Sequence, residues 1–313
     1  MYYWYTMLSA RKSFGPLWLA ILGSTFAMSC TREPGTEGKP LVPEVHERTG
    51  YLPSSLRESS GVAVSRRQEG VLWSHNDSDN ENRLYAINLQ GVELATFRVK
   101  EAENRDWEDI AIGPCPRRNG DCLYIADTGD NLHRRETVSI YVIPEPVISS
   151  EERGTLRDTE HIQQIDFRYE DGPQDVEAMA VGPRGEILLV TKGRTAPVHT
   201  YVISRLQLLA GPETIARSKI DPGIQRLRML GRWVTGAAMS PSGKRVVLRT
   251  YTELFFYTYE EGGSLMPQGD PCLIGASEPQ GEGVDFLDEN TVILTSETLP
   301  GRPGPITLVR CPT

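Results

Sequence analysis

Acids stand at the entrance to small apolar runs at recurring places in this chain. Asp106-Trp107-Glu108-Asp109 leads into Ile110-Ala111-Ile112 and stops at Gly113-Pro114. Asp175-Val176-Glu177 leads into Ala178-Met179-Ala180-Val181 and stops at Gly182-Pro183. Gln280-Gly281-Glu282 leads into Gly283-Val284-Asp285-Phe286. Residues two apart on a strand face the same side, which pairs Asp106 with Glu108 and Asp175 with Glu177. If the phrases are equivalent, Glu108, Glu177 and Glu282 converge on one place with Asp106 and Asp175 beside them. Crowded carboxylates repel unless something neutralises them. Protons can do so, through raised pKa values. A hard divalent cation, Ca²⁺ or Mg²⁺, can do so through oxygen ligands. Lys192, Arg249 or Arg83 can do so from within the protein. The plain alternative is that the acids accept hydrogen bonds from neighbouring backbone amides, and a third is acid and base catalysis.

A second polar tier follows. His75-Asn76-Asp77-Ser78-Asp79-Asn80 matches Ala126-Asp127-Thr128-Gly129-Asp130-Asn131, and the same place holds Thr191-Lys192-Gly193, Arg249-Thr250-Tyr251 and Ser296-Glu297-Thr298. The first two are good turns, because Asx side chains bond their own backbone. They are not EF-hand loops, since Asn82 stands where glycine is needed and no closing glutamate follows. Asn76, Asp127, Lys192 and Arg249 are expected to form a ligand-facing layer near the acids. The five histidines form no HxH or HExxH pattern, and no GxSxG, P-loop or dinucleotide fingerprint occurs.

The acidic phrase is one member of a repeat. Equivalent runs begin at Glu58-Ser59-Ser60-Gly61 and Trp233-Val234-Thr235-Gly236, which makes five copies, each followed by a second and a third apolar strand. Short strands with turn signals, repeated at roughly fifty residues, predict an all-β fold, a β-propeller. Five blades are expected, or six if an insertion hides one. The fifth copy runs out after three strands, so an N-terminal strand around Leu41–Val45 is expected to close the ring. Insertions fall at 145–160 and 205–228, the second containing LQLLAGPET, a candidate helical turn. A β-sandwich would not repeat one phrase, and no amphipathic helix of ordinary length links the strands as an α/β fold requires. The strand aromatics read as packing; Trp107 and Trp233 either join the core or floor a binding mouth.

The 313 residues carry a formal net charge of −9. Residues 1–29 hold Arg11 and Lys12, no acid, and an apolar run from Pro16 to Gly23. That is a secretory signal, too short and interrupted for a membrane span. Its removal leaves the chain more acidic, which excludes nucleic acid as a partner. Cys30 after Ser29 resembles a bacterial lipobox. Residues 30–40 are then a lipidated tether and 41–313 the propeller domain. Thr31, not aspartate, follows the cysteine, so the expected address is the bacterial cell envelope, outer membrane or cell surface. Cys115, Cys122, Cys272 and Cys311 allow three connectivities. Cys115 and Cys122 flank the turn-rich PRRNGD, favouring Cys115–Cys122 and Cys272–Cys311.

At DWEDIA, DTGDN and the pairing of SGVAVS with LWSHNDS, the chain resembles a group of bacterial secreted propeller proteins, loosely similar to phytase-like and NHL or WD40-like propellers. The resemblance spans roughly residues 50 to 310. It implies a propeller outside the cytoplasm. Phytase-like propellers hold calcium with channel acids and bind phosphate esters; Glu108, Glu177 and Glu282 match the acidic channel and not the full cleft. The expectation is a monomeric, membrane-anchored module that binds a small molecule or a protein, with Ca²⁺ at an acidic channel mouth. The rival is a metal-assisted hydrolase of phosphate esters or glycosides.

Overall fold

The computed structural model describes residues 40–149, 154–160, 162–210, 214–218, 221–224, 230–260 and 262–312. Residues 1–29, expected as a signal segment, Cys30 and most of the expected tether lie outside them. The strands are β1 (Val45–Tyr51), β2 (Ser59–Val64), β3 (Leu72–Asn76), β4 (Arg83–Ile87), β5 (Glu93–Arg98), β6 (Trp107–Pro114), β7 (Asp121–Asp127), β8 (Val138–Pro144), β9 (Leu156–Asp158), β10 (Gln163–Tyr169) and β11 (Val176–Val181). They continue as β12 (Ile187–Thr191), β13 (Thr200–Ile203), β14 (Thr214–Ser218), β15 (Val234–Met239), β16 (Arg245–Thr250), β17 (Glu253–Glu260), β18 (Ser264–Pro267), β19 (Cys272–Leu273), β20 (Gln280–Phe286), β21 (Thr291–Glu297) and β22 (Pro305–Arg310). Among the described residues one short α-helix, α1 (Arg205–Ala210), interrupts them, as LQLLAGPET predicts, with a single 3-10 turn at Leu230–Arg232. The chain is all-β.

Antiparallel meanders dominate. One sheet runs β2-β3-β4-β5 and another β15-β16-β17-β18, with β19 added beside β17. An eight-stranded sheet consists of two meanders, β6-β7-β8-β10 and β11-β12-β13-β14, joined by a short parallel pairing of β10 with β14. The last sheet runs β20-β21-β22-β1, so a strand from the N-terminal side completes it. That strand starts at Val45, not Leu41; Leu41 instead makes an isolated bridge to Cys272. The 205–228 stretch, expected as a plain insertion, carries β14 within it. The 145–160 insertion carries β9, which adds in parallel to β5.

The first strand of each meander is innermost. β2 contacts β6, β6 contacts β11, β11 contacts β15, β15 contacts β20, and β20 returns to β2. Apolar layers fill the wedges between successive meanders. Ala63 and Trp73 pack with Ile110 and Leu123; Tyr124 with Met179 and Leu189; Leu188 with Val234 and Val246; Val247 with Val284 and Val292; and Ile293 with Val62 and Leu72. Consecutive residues serve opposite layers, as Val62 and Ala63 do, because strand side chains alternate. Strands buried on both faces therefore read as unbroken apolar runs. Sheets arranged radially about a shared set of inner strands form a β-propeller-like fold.

Disulfides join Cys115 to Cys122 and Cys272 to Cys311, as expected. The first clamps the β6–β7 turn. The second fastens β19 to the residue after β22, beside the closing strand. Such bonds are consistent with an extracytoplasmic compartment. Among the described residues no helix is long and apolar enough to cross a membrane.

Candidate functional site at the channel mouth

Each innermost strand carries the same irregularity. Its pairing with the second strand slips between Ser59 and Gly61, between Trp107 and Asp109, between Val176 and Ala178, between Val234 and Gly236, and between Gly281 and Val284. The extra residues are Ser60, Glu108, Glu177, Thr235 and, on β20, Glu282 with Gly283. A bulge takes its extra residue out of the ladder and re-aims the side chain. The three glutamates expected at one repeat position are therefore all bulge residues, and all three are buried.

Lys192, the residue after β12, sits among them. Its Nζ lies 2.6 Å from Glu177 Oε1. Burial alone would push its pKa down, but Glu177 and Glu108 hold the ammonium form well above its ordinary range. Burial raises Glu177 to about 7 against the pull of Lys192, and the Glu108 carboxyl lies within hydrogen-bonding reach of it. Glu282 is pushed well up by burial and then by Glu177. Its Oε1 accepts from Gln280 Nε2 at 3.1 Å and from the Tyr251 hydroxyl at 3.4 Å. Gln280 Nε2 also donates to Glu297 Oε1 at 2.5 Å, and burial raises Glu297 to about 7.

Next to this cluster, carboxylate oxygens of Asp77, Asp106 and Glu108 lie within 4.8 Å of one another. Asp77 follows β3 and Asp106 precedes β6, so neighbouring meanders supply the three. The ion pairs around them belong to other acids: Lys192 with Glu177, Arg135 with Asp127 at 2.8 Å, and Arg194 with Asp175 at 3.3 Å. Among the described residues no ion pair includes Asp77, Asp106 or Glu108. Their pKa values record the crowding. Burial and then Asp77 raise Asp106 to about 6. Burial, Glu177 and Asp77 hold Glu108 well above the carboxylate range, and burial raises Asp77. The backbone of Gly129 closes one side. A Cβ there would overlap Glu108 Oε1 and the Asp106 carboxylate, so this position needs glycine for the close approach. Three converging carboxylates suit a hard divalent ion.

The other expected residues are placed differently. Asp175 Oδ1 accepts from Asp130 N at 3.1 Å, and its other oxygen faces Arg194. Asp127 accepts from Asp106 N at 3.1 Å and pairs with Arg135. Asn76 Oδ1 accepts from Glu58 N and its amide donates to Ser55 O. These side chains hold the loops of the mouth. Arg249, expected in the ligand-facing layer, is fully buried instead. Its guanidinium donates to Gly283 O at 2.5 Å and Thr295 O at 2.8 Å and pairs with Glu278. A fixed fork of donors inside the fold ties β16 to β20 and β21 rather than facing a ligand.

Two acids deeper in the channel play the plain structural part. Asp109 accepts from Met179 N at 2.8 Å, Ala237 N at 3.2 Å and Ile110 N at 2.8 Å, joining β6 to β11 and β15. Asp285 accepts from Val64 N at 2.6 Å and Phe286 N at 2.7 Å, joining β20 to β2. Burial raises Asp285 to about 7 despite those donors. Its folded pKa exceeds its unfolded value, so its stabilising contribution is full below about pH 4 and is lost as pH rises through about 7. Asp285→Asn removes that dependence. Wild type is expected to lose on the order of 2–4 kcal/mol relative to the variant between pH 4.5 and pH 8.5, measured by urea unfolding at both pH values; an unchanged difference would place the Asp285 pKa near its ordinary value.

Asp77, Asp109, Asp285 and Gly129 were not among the expected site residues. Asp77 had a signal: it follows β3 as Lys192 follows β12. The other three had none, because their partners are distant in sequence.

No family model and no curated protein matches the chain. Among solved structures it is similar to the PQQ-bound aldose sugar dehydrogenase of Streptomyces coelicolor, at 10% identity over 87% of this chain and 100% of that one, with a TM-score of 0.48. It is also similar to a 6-phosphogluconolactonase candidate from Bacteroides uniformis, at 13% identity over 79% and 66% of the two chains, with a TM-score of 0.37. Neither carries a residue or an activity over to this chain.

Proposed function

We propose that this chain is a five-bladed propeller of the bacterial envelope, anchored through a lipid on Cys30, whose channel mouth binds a divalent cation, Ca²⁺ by preference, and through it a ligand. The blade number rests on the closed cycle of contacts β2, β6, β11, β15, β20, with β1 supplying the outer strand of the last blade. The cation rests on one observation: Asp77, Asp106 and Glu108 converge while the nearby basic side chains are paired with other acids. The donor set is smaller than the sequence suggests, because Glu177 and Asp175 have cationic partners and Glu282 has Gln280 and Tyr251. Calorimetric titration of Ca²⁺ into chelator-treated protein tests it. Asp77→Asn and Asp106→Asn are each expected to weaken binding at least tenfold, about 1.4 kcal/mol, and Glu282→Gln to matter less. Absence of binding by the wild type overturns the reading. The anchor is tested separately: Cys30→Ala is expected to move the protein from the membrane to the soluble envelope fraction, and equal membrane retention contradicts it.

A second reading, metal-assisted hydrolysis, is favoured by Glu177, a buried carboxyl beside Glu108 and the candidate cation. Turnover of phosphomonoesters or glycosides that Glu177→Gln abolishes would select it over binding alone.

A further inference from the structure

The mouth is not acidic all round. Trp233 precedes β15 as Asp106 precedes β6 and Asp175 precedes β11. Tyr251 follows β16 as Asp77 follows β3 and Lys192 follows β12. The fourth meander thus puts aromatic rings where its neighbours put charged groups. The rings lie 6.3 Å apart, tilted by 53°. Tyr251 is tied to the acidic cluster through Glu282. Trp73 and Trp107 are fully buried in the wedges between sheets. Trp233 stays partly exposed. Core packing accounts for the first two and leaves the exposure of the third to be explained.

The polar groups restrict what could rest there. Asp77, Asp106, Glu108, Glu177, Glu282 and Glu297 are acceptors when ionised, and the cationic side chain among them, Lys192, is held by Glu177. A phosphate ester or other anion would meet basic side chains already engaged by acids, Lys192 by Glu177, Arg135 by Asp127 and Arg194 by Asp175. An organic cation meets the opposite difficulty at the aromatic wall. Arg194 already places its guanidinium 5.9 Å from the Trp233 ring centroid, and Lys192 lies on the Tyr251 side. What remains is a neutral ligand rich in donors with one apolar face. Its hydroxyls would donate to carboxylates or turn an oxygen pair towards a hard cation. Its C–H groups would lie against the negative face of an aromatic ring.

We infer that the ligand of this mouth is a neutral carbohydrate, its apolar face against Trp233 and Tyr251 and its hydroxyls towards Asp77, Asp106 and Glu108. The inference rests on the cation reading above and extends it to a ligand class. Fluorescently labelled full-length protein is applied to a glycan array in Ca²⁺ and in chelator, and the best neutral mono- or disaccharide is then titrated by calorimetry. Glucose 6-phosphate, glucuronate and choline serve as anionic and cationic comparisons. A neutral glycan is expected to bind in Ca²⁺ and to bind at least tenfold more weakly in chelator. Trp233→Ala is expected to weaken it at least tenfold while keeping the rise in melting temperature with Ca²⁺, since Trp233 supplies no ligand to the ion. Preference for the phosphate, the uronate or choline overturns the inference. So does wild type that responds to Ca²⁺ but binds no neutral glycan, or a Trp233→Ala variant that binds as well as wild type. A wild type whose melting ignores Ca²⁺ removes the cation reading, and the carbohydrate inference falls with it.

Discussion

Asp109→Ala is expected to destabilise the fold by about 3–6 kcal/mol, a large share of the roughly 5–15 kcal/mol available to a folded protein. Asp109 is fully buried, and its carboxylate receives the N–H groups of Ile110, Met179 and Ala237. Met179 and Ala237 belong to innermost strands, whose channel-side edges have no further strand to pair with. Alanine leaves those donors buried without acceptors, and each such group costs about 1–3 kcal/mol. It also opens space beside Gly61, whose backbone passes so close that a Cβ there would meet Asp109 Oδ1 at 2.7 Å. Asp109→Asn keeps the shape and an acceptor oxygen but turns an amide towards at least one donor, so an intermediate loss is expected. Urea unfolding of wild type and Asp109→Asn, with the soluble yield of Asp109→Ala, measures the series. Near-native stability of the alanine variant would contradict the assignment of Asp109 as the joint between β6, β11 and β15.

Arg249→Leu is expected to cost about 3–5 kcal/mol, for a different reason. The guanidinium is fully buried, and it satisfies two carbonyls and the Glu278 carboxylate, itself almost buried. Removing one partner of a buried ion pair strands the other charge. Gly281 is packed so tightly that a Cβ there would overlap the Arg249 guanidinium, so little room exists for water to take its place. Combining Arg249→Leu with Glu278→Leu removes the stranded charge, and the double variant is expected to recover at least half of the single variant's loss, a coupling that a double-mutant cycle reads directly. If Arg249 served a ligand instead, Arg249→Leu would lose binding and leave stability nearly unchanged.

These two side chains also show where sequence reading stops. The repeat was legible because the five inner strands bury both faces and keep the same short apolar run between the same turns. The disulfide pairs were legible because Cys115 and Cys122 bracket one turn. The convergence of Glu108, Glu177 and Glu282 on one repeat position was legible from alignment of the chain with itself. The bulges were not, since register depends on the partner strand, and with them went the means to tell Glu108 from Asp109. Both are acids in one phrase; one reaches the mouth and the other a neighbouring strand's amides. Arg249 and Lys192 likewise fall near the end of a second strand, two residues apart in the repeat, since Thr250 pairs with Val234 as Thr191 pairs with Val176. Arg249 still lies within β16 and Lys192 follows β12, which separates a cation inside the sheet from one at the mouth. The closing strand was placed four residues early because Leu41 and Val42 look more like a strand than His46-Glu47-Arg48. Those polar residues belong to a strand at the outer edge of its sheet, where they remain exposed.

The central claim is that Asp77, Asp106 and Glu108 form a cation site of the folded ring. An ion that binds only the folded state stabilises it by mass action, about 3–4 kcal/mol at a hundred- to thousand-fold excess over its dissociation constant. For a chain of this size that corresponds to a rise of roughly 5–15 °C in melting temperature. The decisive measurement is the thermal unfolding curve of the protein at neutral pH in millimolar Ca²⁺ and in chelator. The expected result is a rise of that size in Ca²⁺ for wild type and little or none for Asp106→Asn. Superimposable curves for wild type in Ca²⁺ and in chelator would contradict the claim and leave the mouth as carboxyl groups kept neutral by protons and by Lys192.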